Sequence, residues 1–431
     1  MSLRGTGIGL AEDQVEATAG TGVVTRVLLH DFAGHAFPMD LTRALGRRGH
    51  TVLHTYCESY RGGKGRFDAD PADGDISVVS LSTGGRTFAK YRPVRRISQE
   101  IAYGRRFTTL AEEFRPAVVV MCNMPIVVQR VVATWCRQND VPWVFWLQDL
   151  YSVAIRATAV HRFGGLAGNV IGSGFETIER SLARQAAAIV PITHDFQPVL
   201  DEWGVARERC TVIENWAPLA DLPEQPRESA WRRSQGLDDD RFVFLYSGTL
   251  GLKHRPELLY ELAAQHTHDA DVVVISEGMG EARLKEMLAE RPLPNLRVLP
   301  FQPFEQFPEI LGSADVLVAL LEPSAGTFSV PSKILSYLCA GRPILGAIPL
   351  ENLAARTVER SGSGMVVPPT DVEAFLLAAK QLRNDGRLRQ VAGRCARAYA
   401  EATFDTDVVT DRFVDVIDGA LGRRRPKLTI V

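Results

Sequence analysis

Short apolar runs alternate with amphipathic stretches along almost the whole chain. Residues 25–29, 51–56, 117–121, 142–147 and 187–191 are apolar and read as strands. Between them, residues 38–48, 126–138 and 176–185 carry apolar positions at helical spacing, and Thr193 starts a further helix over 195–203. Near-continuous apolar strands joined by helices predict a mostly parallel sheet covered on both faces. A Pro-rich stretch at 217–226 interrupts the pattern and reads as a linker. The alternation then restarts, with strands expected at 241–246, 271–275, 296–299, 315–320 and 343–346. Two such α/β units predict two doubly wound domains facing a cleft, with ligands at the carboxyl ends of the strands.

The division expected is an N-terminal extension over 1–22, domains over 23–216 and 217–404, and a final helix and tail over 405–431. The first segment mixes Gly, Thr, Ala and acids without a hydrophobic run, so it reads as a disordered extension and not a signal peptide. A length of 431 residues gives ample core. The net charge of −2 argues against a general nucleic-acid binder. The six cysteines include no Cys-x-x-Cys pair and read as buried free thiols, consistent with a cytoplasmic location. No apolar run approaches the roughly 18–20 residues that span a bilayer.

Candidate chemistry concentrates around residues 327–345. Pro331 suits a first helical turn, Ser329 or Ser332 can cap it, and Gly341 stands where a C′ residue would. Free backbone N–H groups, the positive end of the dipole and the Lys333 ammonium would together suit a phosphate. Gly248, Thr249 and Lys253 follow a strand directly, in a turn where glycine permits close backbone approach. Glu277 and Gly278 lie in a second turn of the same kind. Asp149 follows the strand at 142–147, and its neighbours Trp146, Gln148 and Tyr151 are candidates to frame a sugar by stacking and hydrogen bonding. Gly34 and His35 lie on the loop after the first strand. His30 and Asp31 have no Ser or Cys elbow beside them, so a hydrolase triad is rejected.

Taken together, Pro331-Ser332-Lys333, Ala340-Gly341-Arg342-Pro343, Trp146-Leu147-Gln148-Asp149, Ile213-Glu214-Asn215-Trp216 and the Ser247–Lys253 turn resemble the retaining glycosyltransferases of family 4, in the branch that builds exopolysaccharides and O-antigens. The resemblance runs from about Val24 to about Phe413 and implies a GT-B fold: two Rossmann-like domains, the final helix crossing back onto the first. It implies transfer of a hexosyl unit from a UDP- or GDP-linked sugar to a glycan or lipid-linked acceptor, with retention of configuration. No cofactor and no metal are then expected. Catalytic roles fall to Asp149, Lys253 and Lys333. Donor contacts fall to Gly34, Gly248, Thr249, Lys253, Glu277, Gly278, Gln302, Ser332, Lys333 and Ser336, and acceptor contacts to His35, Gln148 and Tyr151.

The chain departs from the family pattern in three places. Thr249 stands where an Arg is usual, Ser276 replaces a Gly, and Phe328 and Ser336 stand where the family has two glutamates. Glu322 is too early in register to replace either. A sugar-nucleotide 2-epimerase of the same fold and a non-catalytic partner subunit are the alternative readings. Asp238-Asp239-Asp240 resembles a metal-binding Asp-x-Asp but precedes a strand and reads as an exposed turn. Gly5-Thr6-Gly7-Ile8-Gly9 lacks the strand–turn–helix context of a dinucleotide fingerprint. Arg86, Lys90, Arg92, Arg95, Arg96, Arg105 and Arg106, interleaved with Phe88, Tyr91, Ile97, Ile101 and Phe107, make a basic band suited to an anionic lipid surface. A peripheral place on the inner face of a membrane is the corresponding expectation.

Overall fold

The computed structural model describes residues 23–59, 65–84, 93–237, 240–251, 254–326 and 328–423. Lys253, Asp238, Asp239, the glycines before residue 10 and the Arg86–Arg92 part of the basic band lie outside these described residues.

The first unit runs β1 (Arg26–Asp31), α1 (Ala36–Arg47), β2 (Thr51–Cys57), β3 (Ile76–Leu81), α2 (Pro93–Phe114), β4 (Val118–Cys122), α3 (Ile126–Gln138), β5 (Trp143–Leu147), α4 (Tyr151–Phe163), α5 (Gly165–Gln185), β6 (Ala188–Pro191) and α6 (Gln197–Glu202). The second runs α7 (Ala230–Ser234), β7 (Phe242–Ser247), α8 (Glu257–Gln265), β8 (Ala270–Ile275), α9 (Met279–Glu290), β9 (Leu296–Leu299), α10 (Phe307–Gly312), β10 (Val316–Leu320), α11 (Lys333–Cys339), β11 (Ile344–Ala347), α12 (Leu353–Ser361), β12 (Gly364–Val367), α13 (Val372–Asn384), α14 (Gly386–Thr403) and α15 (Thr406–Ala420).

Each unit forms a six-stranded parallel sheet, in the orders β3-β2-β1-β4-β5-β6 and β12-β11-β10-β7-β8-β9. Counted within its own unit, the second sheet repeats the order of the first. The central strands β4, β5, β7, β8 and β10 are buried at every position, as parallel strands covered on both faces require. The edge strands β3 and β12 are half-buried, and their weak apolar signal left them unread in the sequence. In each sheet the strand order reverses once, between β1 and β4 and between β7 and β10. Crevices at such reversals receive ligands in open α/β sheets.

Helix α5 begins eleven residues before the start read from periodicity, because Gly165, Gly168, Gly172 and Gly174 look like breakers. Two of them serve packing. A Cβ on Gly168 would stand 2.4 Å from the Val160 backbone, and one on Gly172 would stand 2.5 Å from the Arg156 Cβ. The glycines thus let α5 lie against α4 at backbone distance.

Helix α15 packs on α1, β5 and β6 of the first unit. Thr406 Oγ1 donates to Asp40 Oδ2 at 2.7 Å, Arg48 pairs with Asp411 at 3.1 Å, and Phe413 lies 4.5 Å from Trp146 between ring centroids. Across the two units, Arg356 pairs with Asp195 at 2.8 Å.

Candidate functional site

The carboxyl end of β7 is a stitched double turn. Gly248 N–H donates to the Ile275 carbonyl at 3.0 Å, Leu250 N–H to Ser276 Oγ at 2.9 Å, and Gly280 N–H to the Leu250 carbonyl at 2.9 Å. Gly278, at φ +119°, is required: a Cβ there would stand 2.8 Å from the Leu250 oxygen. Ser276, where the family pattern has glycine, is buried and ties the two turns together. Thr249 and Glu277 are exposed beside it.

Helix α11 locks onto this turn. Tyr337 Oη accepts from Ser247 N–H at 2.9 Å and lies 3.2 Å from the Ser247 and Val318 carbonyls. One turn earlier, on the same helix face, is Lys333. Its Nζ lies 3.6 Å from the centroid of the buried Tyr246 ring. Gly248 permits this, since a Cβ at that position would stand 3.3 Å from both Cε and Nζ of Lys333. The residue is half-buried overall, yet the ammonium itself is sequestered and has no hydrogen-bond partner among the described residues. Burial holds its pKa well below the ordinary lysine value. A lone buried cation above an aromatic face is costly without an anion to meet it.

The capping expectation is corrected for Ser332. The α-helix starts at Lys333, after Pro331. Ser332 is exposed and already helical at φ −63° and ψ −18°, so its side chain makes no cap bond. Gly341 has φ +62°, as a C′ residue should. Phe328 is buried in the core, and Ser336 is half-buried. Gln302 Nε2 donates to the carbonyl of Pro300 at 2.8 Å.

The first sheet's reversal carries a different arrangement. Asp31, fully buried, accepts from Ala33 N–H at 3.3 Å, from His35 N–H and from Asn123 Nδ2 at 3.1 Å. His35 Nδ1 lies 3.3 Å from Asp31 Oδ2 and 3.1 Å from Asn123 Nδ2. Asn123 itself stands at φ +50°, a conformation asparagine tolerates better than most residues. Burial would lower the His35 pKa, but the Asp31 carboxylate outweighs it, and the net shift is upward. Burial conversely would raise Asp31, and the charge and hydrogen bonds of His35 bring it below its usual value. Gly34, at φ +71°, makes the turn between them. His30 is core: its Nδ1 lies 2.8 Å from Thr55 Oγ1, and burial brings its pKa down to about 3.

The loop after β5 joins the two halves. Leu150 N–H donates to the Phe328 carbonyl at 3.3 Å, so Asp149 stands beside the segment that leads into α11. Asp149 is half-buried and close enough to raise the pKa of His35 through its charge. Glu179, on α5, accepts from the N–H groups of Tyr151 at 3.0 Å and Ser152 at 2.8 Å. Burial pushes this carboxyl up to about 7. Tyr151 Oη donates to the Asn123 carbonyl at 3.1 Å. Gln148 exchanges two hydrogen bonds with Asn215, at 3.1 and 2.6 Å, so its amide is already engaged.

Burial overturns one expectation and narrows another. Trp146 is fully buried, stacked on Trp216 at 5.8 Å and edged by Phe37, and cannot stack on a sugar. Phe107 of the basic band is core, Arg96 pairs with Glu100 at 2.6 Å, and Arg106 donates to the Ser82 carbonyl at 2.7 Å. Asp31, Asn123 and Glu179 are members that sequence reasoning missed. For Asp31 a signal existed, since it ends a strand at the reversal. Among the described residues no group of three His, Cys, Asp or Glu side chains is placed to hold a metal ion.

Comparison with known proteins agrees with the fold. The model of the glycosyl transferase 4-like domain matches residues 34–216, and that of glycosyl transferases group 1 matches 227–399. The chain belongs to the glycosyltransferases of GT-B fold. WcaI of Escherichia coli strain K12, a provisional colanic acid biosynthesis glycosyl transferase, is 28% identical over 246 residues, 56% of this chain and 59% of that protein. The match thus spans less than two thirds of the relative's length. Among solved structures, sucrose-phosphate synthase from Thermosynechococcus elongatus has a TM-score of 0.73 at 14% identity, covering 93% of this chain and all of the other. HepE of Anabaena, in complex with UDP and glucose, has a TM-score of 0.68 at 14% identity, covering 91% and 99%. Identities this low speak for the fold alone.

Proposed function

We propose that the chain transfers a hexosyl unit from a UDP- or GDP-linked sugar to a glycan or lipid-linked acceptor, with retention of configuration and without a metal. The observation that carries this reading is the unpartnered, buried ammonium of Lys333 at the β7–β10 reversal. As the glycosidic bond breaks, charge grows on the leaving diphosphate, and a fixed cation there stabilises the transition state more than the ground state. Lys253, two positions after Gly251 in the chain, is proposed as a second contact. Gly248, Gly278 and the start of α11 let backbone approach the phosphates, with Thr249, Glu277, Gln302, Ser332 and Ser336 along the rest of the donor. Neither position of the family's glutamate pair holds an acid. As the family resemblance implies, the leaving phosphate takes the acceptor proton, and Asp149 orients the sugar or acceptor across the Leu150–Phe328 junction. His35, Gln148 and Tyr151 line the acceptor side, His35 held by the Asp31 carboxylate, which raises its pKa.

The proposal is tested by thermal unfolding with UDP and GDP. A ligand at about 100 times its Kd stabilises the folded state by roughly 2.7 kcal/mol. One of the two nucleotides should raise the wild-type midpoint, and Lys333→Met should abolish that rise. A midpoint unmoved by either nucleotide, or moved equally in Lys333→Met, overturns the assignment.

A further inference from the structure

Helices α4 and α5 form a hairpin whose far end is unusually apolar outside. Among the described residues, Leu166 is 91% exposed, Val170 74%, Phe163 51% and Ile171 37%, four of the twelve exposed large apolar side chains, within nine positions. The others are scattered or close to the chain start. The arrangement is fixed by packing. Gly168 and Gly172 face α4 at backbone distance, so Leu166 and Val170, each two positions from Gly168, point the opposite way. They are four residues apart and share one face.

The charge of this segment is one-sided. Residues 150–175 contain no Asp or Glu, and their ionisable cations are Arg156, His161 and Arg162. Arg156 is paired with Glu176. His161 and Arg162 are exposed at the tip, the Arg162 guanidinium 5.4 Å from the Phe163 ring centroid. Apolar side chains at the apex with arginine and histidine behind them match the interface of an anionic bilayer, where apolar groups enter the acyl boundary and cations meet headgroups. A protein partner would be expected to find some acidic or hydrogen-bonding rim there, and the segment offers little.

We propose that the tip of the α4–α5 hairpin, around Phe163, Leu166 and Val170, docks this protein on an anionic lipid surface. The placement is useful to the proposed reaction. Helix α4 starts at Tyr151, beside Asp149, and ends at the tip about 20 Å away at 1.5 Å per residue. An acceptor anchored in the same surface would therefore stand within a fixed distance of the junction between the units. No helix among the described residues is long and apolar enough to cross a membrane, so the contact is with one leaflet. This surface is distinct from the band on α2, whose Phe107 is core.

The test is flotation of the full chain with vesicles of phosphatidylglycerol and phosphatidylcholine, or of phosphatidylcholine alone. It reads binding without turnover, so it can fail while the proposed activity stands. The wild type should float with the anionic vesicles and not with the neutral ones. Leu166→Ser with Val170→Ser, at exposed positions, should keep the wild-type melting temperature while lowering the partition about tenfold or more, the worth of burying one such side chain. Arg162→Glu should weaken binding to anionic vesicles and reduce its salt dependence. The proposal is overturned if the wild type stays unbound or if the double variant floats equally well. It is also overturned if sedimentation shows a wild-type dimer that the double variant splits, which would assign the tip to a second copy of the chain.

Discussion

The two sheets have the same strand order, but their reversals are chemically opposite. At β1 and β4 the charged groups satisfy one another: Asp31 holds His35 and Asn123, and all three are engaged. At β7 and β10 the buried ammonium of Lys333 has an aromatic face and, among the described residues, no acceptor. The first arrangement is complete without a ligand and fixes the shape of a loop. The second is incomplete, and under the proposed function an arriving anion recovers its cost. A shared topology therefore supplies two crevices, and the polar pairing in each distinguishes a positioning role from a binding one.

The largest test of that contrast is Lys333→Met. Turnover should fall by about 10²–10³-fold, as when one stabilising donor is lost from a transition state. The ligand-free variant should nevertheless be more stable than the wild type. The pKa of Lys333 is lowered in the folded state, so the unfolded chain binds more protons between the folded and unfolded values. Wild-type stability from this group hence rises with pH through that window, and the advantage of Lys333→Met should shrink as pH approaches the ordinary lysine value. Unfolding curves between pH 7 and about 10 decide it. A variant that is less stable at every pH would mean that the ammonium is already paired.

A smaller effect of the opposite sign is expected at the other reversal. His35→Gln should destabilise the protein by about 1–2 kcal/mol at pH 6, because Asp31 keeps its burial and loses a charged partner. The His35 pKa is raised, so its contribution is fully present below the unfolded value and is lost as pH rises through the folded one. The deficit of His35→Gln should therefore fade in alkali. Equal deficits at pH 6 and pH 9 would show that the loop depends on shape and not on charge.

These two sites differ in how well the sequence exposed them. Lys333 was legible because Pro331, Gly341 and the apolar run behind them are local signals. The fully buried strands and α3 were legible for the same reason, and α3 falls at 126–138 as read. The rest depended on distant contacts. Trp146 reads as a sugar platform until Phe413, more than 250 positions later, is seen to close over it. Helix α4 was missed because its apolar positions are spread around its circumference, and its partner α5 was cut short by glycines that pack against α4. Glu179 had no signal at all: nothing near it in the chain shows that it caps a helix starting at Tyr151.

Glu179 offers the finest test, since it lies between the two chemistries. It is buried like Lys333, yet hydrogen-bonded like Asp31. Burial is the larger influence and pushes its carboxyl up to about 7, against the Ser152 and Tyr151 amides that favour the charged form. Below the ordinary glutamate value both states carry the proton. Above it the unfolded chain releases the proton first, so stability falls as pH rises toward 7 and levels off beyond. Glu179→Gln cannot ionise and keeps one acceptor for the two amides. It should be less stable than the wild type at pH 5, by about 1 kcal/mol for one hydrogen bond, should draw level at about pH 6, and should be the more stable of the two by about pH 8. Melting temperatures across that range measure the crossing. Parallel curves for the two proteins would show that Glu179 keeps an ordinary pKa, and that the start of α4 is held by a permanent carboxylate in the manner of Asp31.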